Sequence, residues 1–126
     1  MKLKNLFILN AIVSLVFGLS FVLVPVQTLS LYGVTADAQL KYVSQLFGSA
    51  LLVFCVITWL TRNSTDSTAR SAIILGLFIG DAIGFVVSLI NQLNGVVNAL
   101  GWLTVAIYLL LALGFGYFQI TGSSDS

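Results

Sequence analysis

A chain of 126 residues that is 59% hydrophobic and 7% charged, with a mean hydropathy of +1.09, holds far fewer charges than the roughly 25% of a soluble domain. A water-soluble fold is excluded. Five basic and four acidic residues leave a net charge of +1, which supplies neither a basic field for nucleic acid nor an acidic tail.

Four apolar runs reach the roughly 20 residues that cross about 30 Å of hydrocarbon as a helix. They cover about 6–24, 42–60, 71–93 and 99–120. In lipid every backbone amide must be paired within the protein, so uninterrupted runs of this length are helices. The prediction is an all-α integral membrane four-helix bundle with short loops, one domain over residues 1–126.

The first run follows Lys2 and Lys4 and is longer than the apolar core of a signal peptide, which makes it a retained membrane helix. Pro25 ends it. The stretch from Val26 to Gly33 carries Leu29, Leu31 and Tyr32, and reads either as a segment along the outer interface or as an ordinary loop. After the second run, Thr61 to Arg70 is polar, and Asp66 or Ser67 caps the third helix. Asn94 and Gly95 then form a tight turn, which sets the third and fourth spans side by side and antiparallel.

Lys2, Lys4, Arg62 and Arg70 fall on one side of this arrangement and Lys41 alone on the other. The positive-inside rule therefore puts both termini in the cytoplasm, with the chain multi-pass in the cell (inner) membrane. Tyr32, Tyr42 and Trp102 mark the outer interface, and Trp59 and Tyr117 the inner one.

The chain has no His, no Glu and a single Cys. It thus lacks imidazole ligands for haem, zinc or a di-iron site, and it can form no internal disulfide, so no cofactor and no metal are expected. Cys55 lies in an apolar run and reads as a small buried hydrophobe. With no nucleophile and base pair, an enzyme is the least favoured class.

The one acid at mid-membrane depth is Asp81, in the third span. An aspartate there costs about 2.5 to 3.5 kcal/mol, so it faces protein or water. At about 100° per residue Ser88 lies about 20° around the helix from it, and Gly84 about 60°. Asn10, Ser14 and Gly18 repeat every four residues in the first span, Gln45 and Ser49 do so beside Gly48 in the second, and Thr104, Tyr108 and Ala112 in the fourth. Ser14, Ser49 and Tyr108 fall nearest the level of Asp81. Two readings follow: a proton or cation relay, or, favoured, a neutral Asp81 satisfied by these hydroxyls. Gly76, Gly80 and Gly84 make two overlapping GxxxG motifs, extended by Ala72 and Ser88, which let a second helix approach closely.

From Leu31, Tyr32, Gly33 through Leu46, Phe47, Gly48 to Asn98, Ala99, Leu100, Gly101, Trp102, the chain resembles small uncharacterised four-helix bacterial membrane proteins of the domain-of-unknown-function and DoxX-like kind. The resemblance implies a four-helix fold and no established reaction.

The favoured function is a non-catalytic accessory or scaffold subunit of a larger membrane complex, held in the lipid bilayer by other membrane subunits or by self-association through the glycine stripe. The alternatives are a small oligomeric ion- or proton-coupled transporter using Asp81, and a lipid- or quinone-binding protein with a cleft between helices.

Overall fold

The computed structural model describes residues 2–121, so the two termini assigned above to the cytoplasm lie outside the described residues. Within them run five helices and no strand: α1 (Leu3–Leu23), α2 (Pro25–Leu31), α3 (Ala38–Thr61), α4 (Ser67–Leu93) and α5 (Gly101–Thr121). All but α2 are long and apolar enough to cross a membrane. The fold is the all-α four-helix architecture that the apolar runs imply, with the multi-pass spans of a membrane protein.

Two helices begin about a turn before their apolar runs because an acid caps each of them. The Asp37 carboxylate accepts from the Leu40 amide at 2.8 Å, so α3 starts at Ala38. Asp66, rather than Ser67, caps α4, accepting from the Thr68 and Ala69 amides at 3.0 and 3.2 Å. A carboxylate at this position pairs amides that have no partner inside the helix and sits at the positive end of the helix dipole.

Pro25 ends α1 and also opens α2, where its missing N–H interrupts no helical bond. The Val26–Gly33 stretch is therefore mainly a short helix rather than an irregular loop. The Thr28 hydroxyl donates to the carbonyls of Val24 (2.7 Å) and Ser20 (3.0 Å), which folds α2 back onto the end of α1. Gly33 and Gly95 follow α2 and α4 with φ of +77° and +72°, the left-handed conformation that stops a helix and favours glycine. The last connection runs over residues 94–100, longer than the tight turn expected at Asn94 and Gly95.

The spans pack as two antiparallel hairpins, α1 on α3 and α4 on α5. The α4–α5 pairing is the one expected from the short third connection. In the first hairpin the backbones meet at Gly18 and Gly48: a Cβ on Gly48 would lie 2.7 Å from the Gly18 carbonyl oxygen, and one on Gly18 would lie 3.1 Å from that of Gly48. Two polar links flank this crossing. Gln45 Nε2 donates to the Val22 carbonyl at 3.2 Å, and Asn10 Nδ2 donates to Thr58 Oγ1 at 3.4 Å. Thr58 is fully buried and donates in turn to the Phe54 carbonyl at 2.7 Å.

The hairpins join at their two ends. At the end bearing the N-terminus, Leu3, Leu6 and Phe7 of α1 pack with Ile74 and Leu77 of α4 and with Leu111, Phe115 and Phe118 of α5, forming the apolar core. Phe7 and Phe115 are both fully buried, with ring centroids 5.9 Å apart. At the other end Asn98 is the hub: its amide donates to the Tyr32 carbonyl at 2.9 Å and its side chain to the Leu31 carbonyl at 3.0 Å. Tyr32, expected at the outer interface, hydrogen-bonds Thr104 at 3.0 Å, since a phenol in an apolar surrounding needs a polar partner. Tyr42, Trp59, Trp102 and Tyr117 are exposed, as side chains of interfacial belts would be.

Candidate functional site

Because the hairpins meet at their ends, they stand apart between them. The space is a cavity of about 490 Å³, to which all five helices contribute. Its floor is Leu77 and Leu111, both members of the apolar core. Phe17 and Phe21 of α1 and Phe47 and Phe54 of α3 form one wall, and α4 and α5 form the other. Leu77, Asp81, Ser88 and Gln92 reach it from α4 at helical spacing, so one face of that helix is committed to the cavity.

Asp81 stands in this wall. It is 9% exposed, and its Oδ2 is buried with no hydrogen-bond partner among the described residues. The hydroxyls expected to satisfy it do other things. Ser14 is buried on α1 and lines the cavity, but its Oγ pairs with Asn10 Nδ2 at 3.5 Å. Ser88 lines the cavity too and donates to the Phe85 carbonyl of its own helix at 3.2 Å. Ser49 does not reach the cavity at all: it is exposed, donates to the Gln45 carbonyl at 3.0 Å, and lies in a shallow groove with Leu52 and Val56 on another face of α3. The reason is rotation of α3, whose inward positions are set by the Gly48 crossing, one residue and about 100° away from Ser49. Tyr108 does come to Asp81's side of the cavity, with its ring laid on Gly84, where a Cβ would meet the ring carbons.

The glycine stripe is divided by this geometry. Gly84 seats the Tyr108 ring, while nothing lies within 4 Å of a Cβ built on Gly76 or Gly80. Both line the cavity and are exposed. Among the described residues the close approach expected along this stripe occurs at Gly84 and not at Gly76 or Gly80, and the backbones that touch are those at Gly18 and Gly48. Phe47, Ala50 and Phe54 of α3 also line the cavity and are exposed, and α3 and α4 share no packed seam. The cavity opens sideways between them.

Sequence reasoning did not single out the four phenylalanines or Tyr32 as members of one site. No signal in a nearly uniform apolar run distinguishes a ring that faces a cavity from one that faces lipid. Chemically, the site is one carboxyl group and several amide and hydroxyl groups set in aromatic and aliphatic walls. No group of three or more metal-ligating side chains occurs among the described residues. Comparison with protein families, with curated proteins and with solved structures gives no match, so the DoxX-like resemblance brings no residue role to this site.

Proposed function

We propose that this chain is a non-catalytic, multi-pass protein of the cell membrane that binds a small apolar molecule taken from the bilayer. The observation that carries the proposal is the cavity between the hairpins. Its volume of about 490 Å³ falls within the roughly 300–1,000 Å³ of small-molecule sites, and its mainly apolar walls with a few polar groups have the composition of such sites. Of the three functions weighed from the sequence, the cleft-binding one gains most from this geometry. The accessory-subunit reading drew on the glycine stripe as a seat for a partner helix, whereas Gly76 and Gly80 form the lip of the cavity.

Filling that lip is the direct test. Gly80→Leu places a side chain where no atom lies within 4 Å of the new Cβ, so it is expected to leave the fold intact and to reduce binding of an uncharged aromatic probe, 1-naphthalenemethanol, at least tenfold in lipid nanodiscs. Unchanged probe binding by a folded Gly80→Leu variant would remove the proposal.

The proposed orientation puts the α3–α4 connection in the cytoplasm, on the asymmetry of Lys2, Lys4, Arg62 and Arg70 against Lys41. Arg62 supports an interfacial position for this connection: its guanidinium lies 3.7 Å from the centre of the Trp59 ring, an anchoring pair suited to the headgroup level. A cysteine introduced as Ser64→Cys in a Cys55→Ser background is expected to resist an impermeant thiol reagent in intact cells and to react after permeabilisation. Labelling from outside would reverse the orientation.

A further inference from the structure

The cavity lining holds one carboxylic acid, Asp81, and no lysine or arginine. Asp81 is nine-tenths buried, and its Oδ2 has no donor. A buried acceptor without a partner is destabilising, more so when it is charged. No described group donates to Oδ2, so the charge of this carboxylate is left for a ligand in the cavity to complement.

Three further features say what kind of donor. The phenyl rings of Phe17, Phe21, Phe47 and Phe54 line the same space and offer an apolar, aromatic bed to the body of a ligand. The Tyr32 hydroxyl is engaged with Thr104, and the lining's other buried acceptor without a partner, Gln92 Oε1, is uncharged. A single negative group in an otherwise uncharged, low-dielectric cavity is complemented by a single positive charge, because the pair then enters the interior electrically neutral. The lateral opening past Gly76 and Gly80 suits a molecule that already partitions into the bilayer.

We infer that the ligand is a lipophilic ammonium ion bearing at least one N–H, with Asp81 as its counter-ion and the phenylalanine-lined part of the cavity as the seat of its apolar body. This rests on the binding function proposed above and adds the charge of the ligand to it. A quaternary cation would meet the charge but bring no donor to the carboxylate, so a primary amine is the better fit.

The test compares 1-naphthylmethylamine with its uncharged isostere 1-naphthalenemethanol, by equilibrium dialysis against the whole chain in phosphatidylcholine nanodiscs with empty nanodiscs subtracted. The wild type is expected to bind the amine at least tenfold more tightly than the alcohol, about 1.4 kcal/mol. Asp81→Asn, which keeps the side-chain shape, is expected to erase that preference, so that the variant binds amine and alcohol within about twofold of one another. Equal binding of the two probes by the wild type overturns the ammonium assignment and leaves the binding function standing. A preference that survives in folded Asp81→Asn assigns the cation to another group and likewise overturns it. Failure of both probes to exceed empty nanodiscs removes the binding function itself. The wild-type ratio needs no substitution, so the assignment is decided even if Asp81→Asn does not fold.

Discussion

Replacing Gly48 by leucine is expected to destabilise the α1–α3 hairpin by about 3 kcal/mol, the upper part of the usual range for overpacking. The site leaves no soft neighbour to yield. A Cβ there would lie 2.7 Å from the Gly18 carbonyl oxygen and 2.9 Å from the Phe21 Cβ, so relief requires the two helix backbones to separate. Separation would lengthen the Asn10–Thr58 and Gln45–Val22 hydrogen bonds that flank the crossing. Lipid gives no hydrophobic force to hold the helices together once close packing is lost. The control is the same change at Gly76, where a Cβ meets nothing within 4 Å. There the gain of about 0.5–1 kcal/mol from removing a helical glycine should leave stability unchanged or slightly raised. Unfolding of both variants in a mixed-micelle denaturant titration measures the difference, and equal stabilities would show that Gly48 is not a point of contact.

Phe115→Ala is expected to cost a similar amount, about 3 kcal/mol, by a different route. Phe115 is fully buried and lies where α1, α4 and α5 come together, its ring 5.9 Å from that of Phe7. Truncation leaves a void lined by side chains that cannot all follow it inward, and Phe→Ala in cores costs about 3–5 kcal/mol. The lower end applies because lipid supplies little of the transfer term, which leaves mainly the lost dispersion contacts. This cluster is one of the two places where the hairpins are joined, so the variant should also loosen one hairpin against the other. Thermal unfolding gives the stability loss, and cross-linking between cysteines placed on α1 and α5 reads the loosening. Full stability in Phe115→Ala would mean that the hairpins are held chiefly by Asn98 and its bonds to Leu31 and Tyr32.

The two glycine sites carry a lesson about what a membrane sequence displays. GxxxG spacing selected Gly76, Gly80 and Gly84, of which Gly84 alone meets a neighbour, the Tyr108 ring, while the backbones in contact are at Gly18 and Gly48, one on each of two helices and in no such repeat. Spacing along one helix says that a groove exists; it does not say whether anything fills it. The same uncertainty in rotation misplaced Ser49, which shares the second span with Gly48 but faces away from the cavity. Ser14, Ser88 and Tyr108 do reach the cavity, as their depth suggested. None of them supplies the bond that Asp81 lacks, because Ser14 and Ser88 are engaged within their own helices.

Sequence alone determined the number of spanning helices and the places where they stop. Lipid leaves a backbone no partner except itself, so an apolar run of sufficient length has one available structure, and Pro25, Asp37, Asp66 and Gly95 act on the chain locally at its ends. The tertiary structure decided which face of each helix turns inward, that the hairpins meet only at their ends, and that Asp81 borders a cavity in place of a hydroxyl cluster. In water, burial would have marked the inward face with apolar residues. In a membrane both faces are apolar, so the rotation of each helix is left to a few close contacts, Gly18 on Gly48 and Tyr108 on Gly84 among them, which exist only once the helices are assembled.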